Sequence, residues 1–418
     1  MHIDTHLDID IVAVESSEQV SLLLDLTAPT LSTEEVRELS TLVVVLDRSG
    51  SMAGERLEGA KTSLLALVDR LDPTDQFGLI TFDDVVQMVV PTAPLHDKAV
   101  VKAHISAIQA GGSTDLSGGY LRGLQEAHRA AGPSGATVLL VSDGHANAGI
   151  TDPTQVGAIA TKARKQGITT SALGFGLGYD EQLLGAIARG GAGNELFAET
   201  PDEAINAMAG EVEGLLSQSA QAASLLVRMA PACKGVRILN ELPATMTPDG
   251  LMIELGSFWS GEERKLVLTF DVPGIPALGL AEIARLDLGW VELPALVQHT
   301  VSVPVHVNVV PGDQAAGRIP NPIVRSELAF QQTQQAKRRA SDLLSQGDVA
   351  RATSELVRAH TMAVEAWKAD PDNRTLQEEC NVIGALLQEA QHGDVSRAAK
   401  LMSSDVAFKS RTRGRRTG

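Results

Sequence analysis

Aromatic residues are scarce in this 418-residue chain, at 3 % of the total. Its cores must therefore be built mainly from Val, Leu, Ile and Ala. Cysteine is nearly absent. Cys233 and Cys380 make no disulfide framework and read as small packing residues in a protein of a reducing compartment. Positive charge is outnumbered, 35 Lys and Arg against 52 Asp and Glu, for a net charge of −17. That balance argues against a general nucleic-acid binder and against docking on anionic membranes. The stretch "KSRTRGRRTG" (409–418) is a local exception and reads as a basic tail over 408–418. No apolar run reaches the roughly 18 residues of a membrane span. Residues 1–30 carry acidic side chains throughout, with no basic start followed by an apolar core, so no secretory signal is visible. A soluble cytoplasmic protein is expected.

What is present falls into distinct textures. "IDTHLDIDIVAV" and "VSLLLDL" alternate apolar and polar residues, as half-buried strands do. A charged linker, "STEEVRELS", follows. From residue 41, continuous apolar runs ("TLVVVLD", "ATVLLVSDG") alternate with helical stripes such as "GERLEGAKTSLLALVDRLDP". "QFGLITFDD" and "VVQMVVP" have almost no connection between them and read as a hairpin. Alternating strands and helices over 41–218 predict an α/β domain with a doubly wound, mostly parallel sheet. From about 220 strand candidates follow one another without helices, so 219–313 reads as an antiparallel β-sandwich. Residues 1–40 supply two strands that need partners, which suggests one sandwich interrupted by the α/β domain. Residues 322–407 read as a helical region, with Asp348 and Asn373 as helix caps.

"VVVLDRSGSMAG" (43–54) is the most informative stretch. In an open α/β sheet, ligands sit outside the carboxyl ends of the strands. Asp47 ends one buried strand, with Ser49 and Ser51 two and four residues on. Asp143 ends another in "VLLVSDG", and Thr114 lies on the glycine-rich loop "AGGSTDL" just before a helix. Five oxygen donors could converge from three loops. Oxygen donors without sulfur or imidazole suit a hard cation: Mg²⁺ first, with Mn²⁺ or Ca²⁺ as alternatives. Two carboxylates and three neutral hydroxyls leave such an ion electrophilic, ready for an acidic side chain from a partner.

"DRSGS", "GGSTD" and "SDG" resemble the three loops of the metal-ion-dependent adhesion site of von Willebrand factor type A domains. They occur in the family's order, and the likeness covers about residues 41–216. It implies that Asp47, Ser49, Ser51, Thr114 and Asp143 hold a divalent cation directly, by switching or through water, and that the sheet has one antiparallel edge strand. The implied function is a non-enzymatic, metal-dependent binding module completed by an Asp or Glu of a protein partner. Three alternatives remain: an adaptor or subunit of a Mg-dependent ATPase or chaperone-like complex, a metal-dependent hydrolase, and a structural scaffold of sandwich and helices in which the ion is dispensable.

Other features carry less. Asp115 opens a helix and reads as an N-cap rather than a ligand. Arg48, His145 and Asn147 lie beside the expected ion. Arg48 could attract an acidic partner, with a solvated loop position as the plain alternative. "GERLEGAKTS" lacks the Lys directly after the second Gly that a phosphate loop needs. "GFGLG" (174–178) reads as an ordinary loop. No Ser–His–Asp or Cys–His set suggests itself.

Overall fold

The computed structural model describes residues 1–31, 41–231 and 233–411. The expected linker at 32–40 and the tail beyond 411 lie outside the described residues. The chain divides into two compact units. One comprises residues 1–31, 219–292 and those from 297 onward; the other comprises the intervening segment to 218 together with 293–296.

The chain begins with β1 (His2–Leu7), β2 (Ile11–Ala13) and β3 (Glu18–Thr27). "IDTHLDIDIVAV" is thus two strands rather than one. Asp8 interrupts it: its carboxylate accepts hydrogen bonds from the N–H groups of Ile9 (2.7 Å) and Ser21 (2.8 Å). Burial holds this carboxyl above its ordinary pKa, opposed by those same bonds.

The second unit contains β4 (Thr41–Asp47), α1 (Glu55–Arg70), β5 (Gln76–Phe82), β6 (Val86–Pro94), α2 (Lys98–Ser106), α3 (Leu116–Ala130) and β7 (Ala136–Ser142). It continues with α4 (Pro153–Arg164), β8 (Ile168–Phe175), α5 (Glu181–Gly190), β9 (Ala192–Ala198) and α6 (Pro201–Leu216). Its sheet has the order β6-β5-β4-β7-β8-β9. All neighbours are parallel except β5 and β6, which form the expected antiparallel edge hairpin.

Both faces of this sheet are covered, and the strands show why their sequences are continuously apolar. Leu42, Val44 and Leu46 of β4 join a core with α1, α2 and α6; Val43 and Val45 join a second core with α3, α4 and α5. The same alternation sends Leu139 and Val141 of β7 one way and Val138 and Leu140 the other. Successive side chains of a strand point to opposite faces, so a strand buried on both sides needs no polar residue until it ends. β4 is central and pairs with both β5 and β7. The chain winds outward from it in both directions, which places a switch point, and hence a crevice, at the carboxyl ends of β4 and β7.

The first unit adds β10 (Gln218–Met229), β11 (Gly235–Ile238), β12 (Ala244–Thr247), β13 (Gly250–Trp259), β14 (Glu263–Val272), β15 (Gly279–Glu292) and β16 (Val297–Val310). Two sheets result, β1-β3-β14-β11 and β12-β13-β10-β15-β16-β2. Their inner residues share one apolar cluster, including Leu22, Leu24, Leu225, Ile253, Leu266 and Leu286. The N-terminal strands find their partners here, β3 beside β14 and β2 beside β16. The expected all-antiparallel pairing fails at β16 and β2, which run parallel over three residues. The pattern of single strands carries no information about this, because direction is set by how the chain returns.

The helical part consists of α7 (Gly312–Ala315), α8 (Pro322–Ser345), α9 (Val349–Ala369), α10 (Arg374–His392) and α11 (Val395–Arg411). Asp348 and Asn373 cap α9 and α10, accepting from Arg351 N and Leu376 N. α11 corrects the expectation of a basic tail from 408. The helix runs to Arg411, and Lys409 folds inward onto Glu379 (2.6 Å) and Asp405 (3.0 Å). Fully buried Lys337 of α8 meets the same two carboxylates, each at 2.5 Å. Local charge suggested a solvated end; Lys409 instead pairs with Asp405 one turn back on α11 and with Glu379 of α10.

Candidate metal centre

Asp47 closes β4 and is fully buried. Its Oδ1 accepts the Ser49 N–H at 2.8 Å and its Oδ2 accepts the Ser142 hydroxyl at 2.6 Å. Burial raises the pKa of its carboxyl. The bonds from Ser142 and Ser49 oppose this, and the nearby charge of Asp143 adds to it. From Ser49 a polar chain runs across the crevice. Ser49 Oγ lies 3.1 Å from Ser51 Oγ, which donates to Asp143 Oδ1 at 2.7 Å. Asp143 and Ser49 are buried and Ser51 is exposed, so the chain leads from the interior to the surface.

Thr114, also buried, borders the same place. A Cβ added to Gly144 would lie 3.4 Å from Ser51 Oγ and 3.7 Å from Thr114 Oγ1. The glycine thus leaves open a space between these two hydroxyls. The structure brings Ser49, Ser51, Thr114 and Asp143 together, with Asp47 tied in behind through Ser49 and Ser142.

The three loops are knitted by their backbones. Gly111 N–H donates to Arg48 O (2.8 Å) and Gly50 N–H to Gly112 O (3.1 Å), joining the first loop to the second. Gly112 has φ +70°, and a Cβ there would strike Asp84 Oδ1 at 1.9 Å, so this tight approach requires glycine. The second loop is joined to the third by Asn147. Its Oδ1 accepts from Thr114 N–H (2.9 Å), and its own N–H donates to Thr114 O (3.2 Å).

Several neighbours differ from their sequence reading. Asn147 is a positioning residue. Arg48 pairs with buried Asp83 at 3.0 Å, so its charge is already compensated within the domain. Asp115 is the N-cap expected, accepting from Gly118 N–H (2.9 Å) and Ser117 Oγ (3.1 Å). Ser142 and Arg56 were missed. Ser142 precedes the motif aspartate on β7 and reads as strand interior. Arg56, near the start of α1, reaches Asp143 Oδ2 at 2.6 Å. Only the approach of the start of α1 to the loop after β7 reveals that contact.

Among the described residues no three Asp, Glu, His or Cys side chains gather at metal-binding spacing. This crevice offers two carboxylates and three hydroxyls, a donor set of oxygens alone. It fits a hard divalent cation.

Comparison with known proteins agrees with this architecture. The model for the von Willebrand factor type A domain matches residues 41–210. Among curated proteins, the chain is 28 % identical over 260 residues to the uncharacterized protein sll0103 of Synechocystis, covering 59 % of this chain and 61 % of that one. It is 32 % identical over 220 residues to the uncharacterized protein YfbK of Escherichia coli, covering 52 % and 38 %. The chain thus spans less than two-thirds of either relative. Among solved structures, the von Willebrand factor type A protein from Catenulispora acidiphila superposes with a TM-score of 0.75 at 17 % identity, covering 98 % of this chain and 96 % of that one. The ArnB paralog VWA2 from Sulfolobus acidocaldarius gives 0.67 at 15 %, covering 98 % of each. These likenesses show a shared fold along nearly the whole chain. Residues 41–210 of this protein are a von Willebrand factor type A domain.

Proposed function

We propose that this protein is a metal-dependent protein-binding module, not an enzyme. Ser49, Ser51 and Thr114 hold a divalent cation, Mg²⁺ in the first instance, with Asp143 and Asp47 as its anionic partners. The observation that carries this reading is the polar chain Ser49–Ser51–Asp143, bordered by the Thr114 hydroxyl and drawn from three loops at the switch point of the sheet. A bound cation supplies a positive centre that a carboxylate from outside can complete. Asp47 orients Ser49 through the backbone and shares Ser142 as a fixed donor, so the buried end of the site is ordered before any ligand arrives. Ser51, at the exposed end, faces the side from which a partner's Asp or Glu approaches.

The test is calorimetric and thermal. Mg²⁺ or Mn²⁺ should raise the melting temperature of the wild type, because a ligand at about 100 times its Kd adds about 2.7 kcal/mol. Asp47→Ala should abolish this rise. Ser51→Ala, at an exposed position where folding is less at risk, should weaken it. A wild-type melting temperature indifferent to chelator and to millimolar Mg²⁺ or Mn²⁺ would refute the proposal.

A further inference from the structure

Arg56 brings a guanidinium to the site. Its guanidinium donates to Asp143 Oδ2 at 2.6 Å, while Ser51 holds the other oxygen, Oδ1, at 2.7 Å. The same nitrogen makes a longer bond to the Ser51 carbonyl at 3.4 Å. The Asp143 side chain is fully buried, and that of Arg56 is 40 % exposed, so the positive charge sits at the mouth of the crevice.

The end of β8 and the loop that follows it, "GFGLG", make room for this arrangement. A Cβ at Gly176 would stand 3.2 Å from Arg56 Nε and 3.3 Å from both Cζ and Nη2. Gly176 also has φ +73°, a conformation that disfavours other residues. A Cβ at Gly178 would stand 3.0 Å from the Asp143 carbonyl oxygen, and one at Gly174 would enter the Tyr179 ring at 2.4 Å. All three glycines permit close approach beside β7. The guanidinium is therefore seated against backbone on one side and a buried carboxylate on the other. Two other pairs lie close by. Arg48 and Asp83 pair with each other, as do Glu58 and Lys61.

We propose that Arg56 sets the charge of the metal centre: it weakens the hold on the cation and keeps the loaded site positive for an acidic partner. This deepens the metal-dependent reading and rests on it. In formal charge, the two carboxylates of Asp47 and Asp143 balance a divalent cation. Arg56 leaves one positive charge over, which attracts a carboxylate at short range. The same charge repels the metal and draws Asp143 toward itself.

The experiment compares the full-length wild type, Arg56→Met and Arg56→Lys by Mn²⁺ titration calorimetry, with thermal melts to establish folding. Water-proton relaxation of bound Mn²⁺ then follows its displacement of water by added acetate. Arg56→Met should bind Mn²⁺ on the order of tenfold more tightly and require severalfold more acetate. Arg56→Lys, which keeps the charge, should stay near wild type in both. If the wild type binds Mn²⁺ but Arg56→Met binds it no more tightly, the inference about Arg56 fails and the metal reading stands. If Arg56→Met binds more tightly with unchanged response to acetate, the partner half of the inference fails. If the wild type binds no Mn²⁺, both fall together.

Discussion

Asn147→Ala isolates one contact in the centre. The substitution removes the Oδ1 that accepts the Thr114 N–H at 2.9 Å, while the backbone bond from residue 147 to Thr114 O survives. Thr114 is 4 % exposed, so its N–H loses its partner in a confined place. An unsatisfied buried donor costs about 1–3 kcal/mol. Asn147 itself is exposed, which gives water some access and puts the figure at the lower end, about 1–2 kcal/mol. For a domain of this size that is a fall of about 2–8 °C in melting temperature. The effect on metal should be larger in proportion, because groups that orient ligands typically carry a 10–100-fold effect on affinity. Mn²⁺ titration alongside thermal melts gives both numbers. Asn147→Asp keeps an acceptor oxygen and adds a carboxylate beside the ion. It should keep the stability and bind Mn²⁺ more tightly than wild type. A melting temperature and an Mn²⁺ affinity both unchanged in Asn147→Ala would refute the clamp. A lower melting temperature with unaltered Mn²⁺ affinity would show that it serves the loop and not the site.

Three further outcomes are expected. Lys337→Met leaves buried Glu379 and Asp405 with Lys409 alone and should cost about 3–5 kcal/mol; Lys337→Met with Glu379→Leu should recover most of it in chemical denaturation, and a single variant as stable as the double would contradict the ring. The same ring sets a pH window. Burial pushes the Asp405 carboxyl up, but the charges of Lys337 and Lys409 outweigh it and hold the carboxyl below its ordinary value, so this stabilisation is present above about pH 3.9 and fades as pH falls through the folded value. Burial pushes Lys409 down, but Glu379 and Asp405 outweigh it and hold the ammonium above its ordinary value, so that contribution is present below about pH 10.4 and fades as pH rises further; helix content followed by circular dichroism checks both limits, and Lys337→Met with Glu379→Leu should blunt them. Gly123→Val would place a Cβ 2.3 Å from Val45 Cγ2 between α3 and β4, costing about 1–3 kcal/mol by overpacking, readable as a lower denaturation midpoint.

Much of the α/β domain was legible because its physics is local and periodic. A strand buried on both faces must be apolar throughout, and "TLVVVLD" and "ATVLLVS" are. The carboxylates that end them mark the ligand-binding edge of such a sheet. Asp115 was legible as a cap because capping acts within three residues. The split at Asp8 was not, because one of its two bonds is to Ser21 on the next strand. Lys409 was misread for a related reason. Lys409, at the head of a basic run, looks solvated until Glu379 from another helix is placed beside it.

The sequence by itself determined the donor chemistry: two aspartates at strand ends, with Ser49, Ser51 and Thr114 as neutral oxygens, and no sulfur or imidazole among them. It also determined the alternation that builds the sheet and so the edge on which those donors stand. Only the tertiary structure decided which groups touch them. Ser142 behind Asp47, Asn147 on the Thr114 loop and Arg56 against Asp143 are each set by contacts between elements that the chain's order leaves apart. Periodicity records which face a side chain takes, and it carries no record of the charge that another helix brings to the same point.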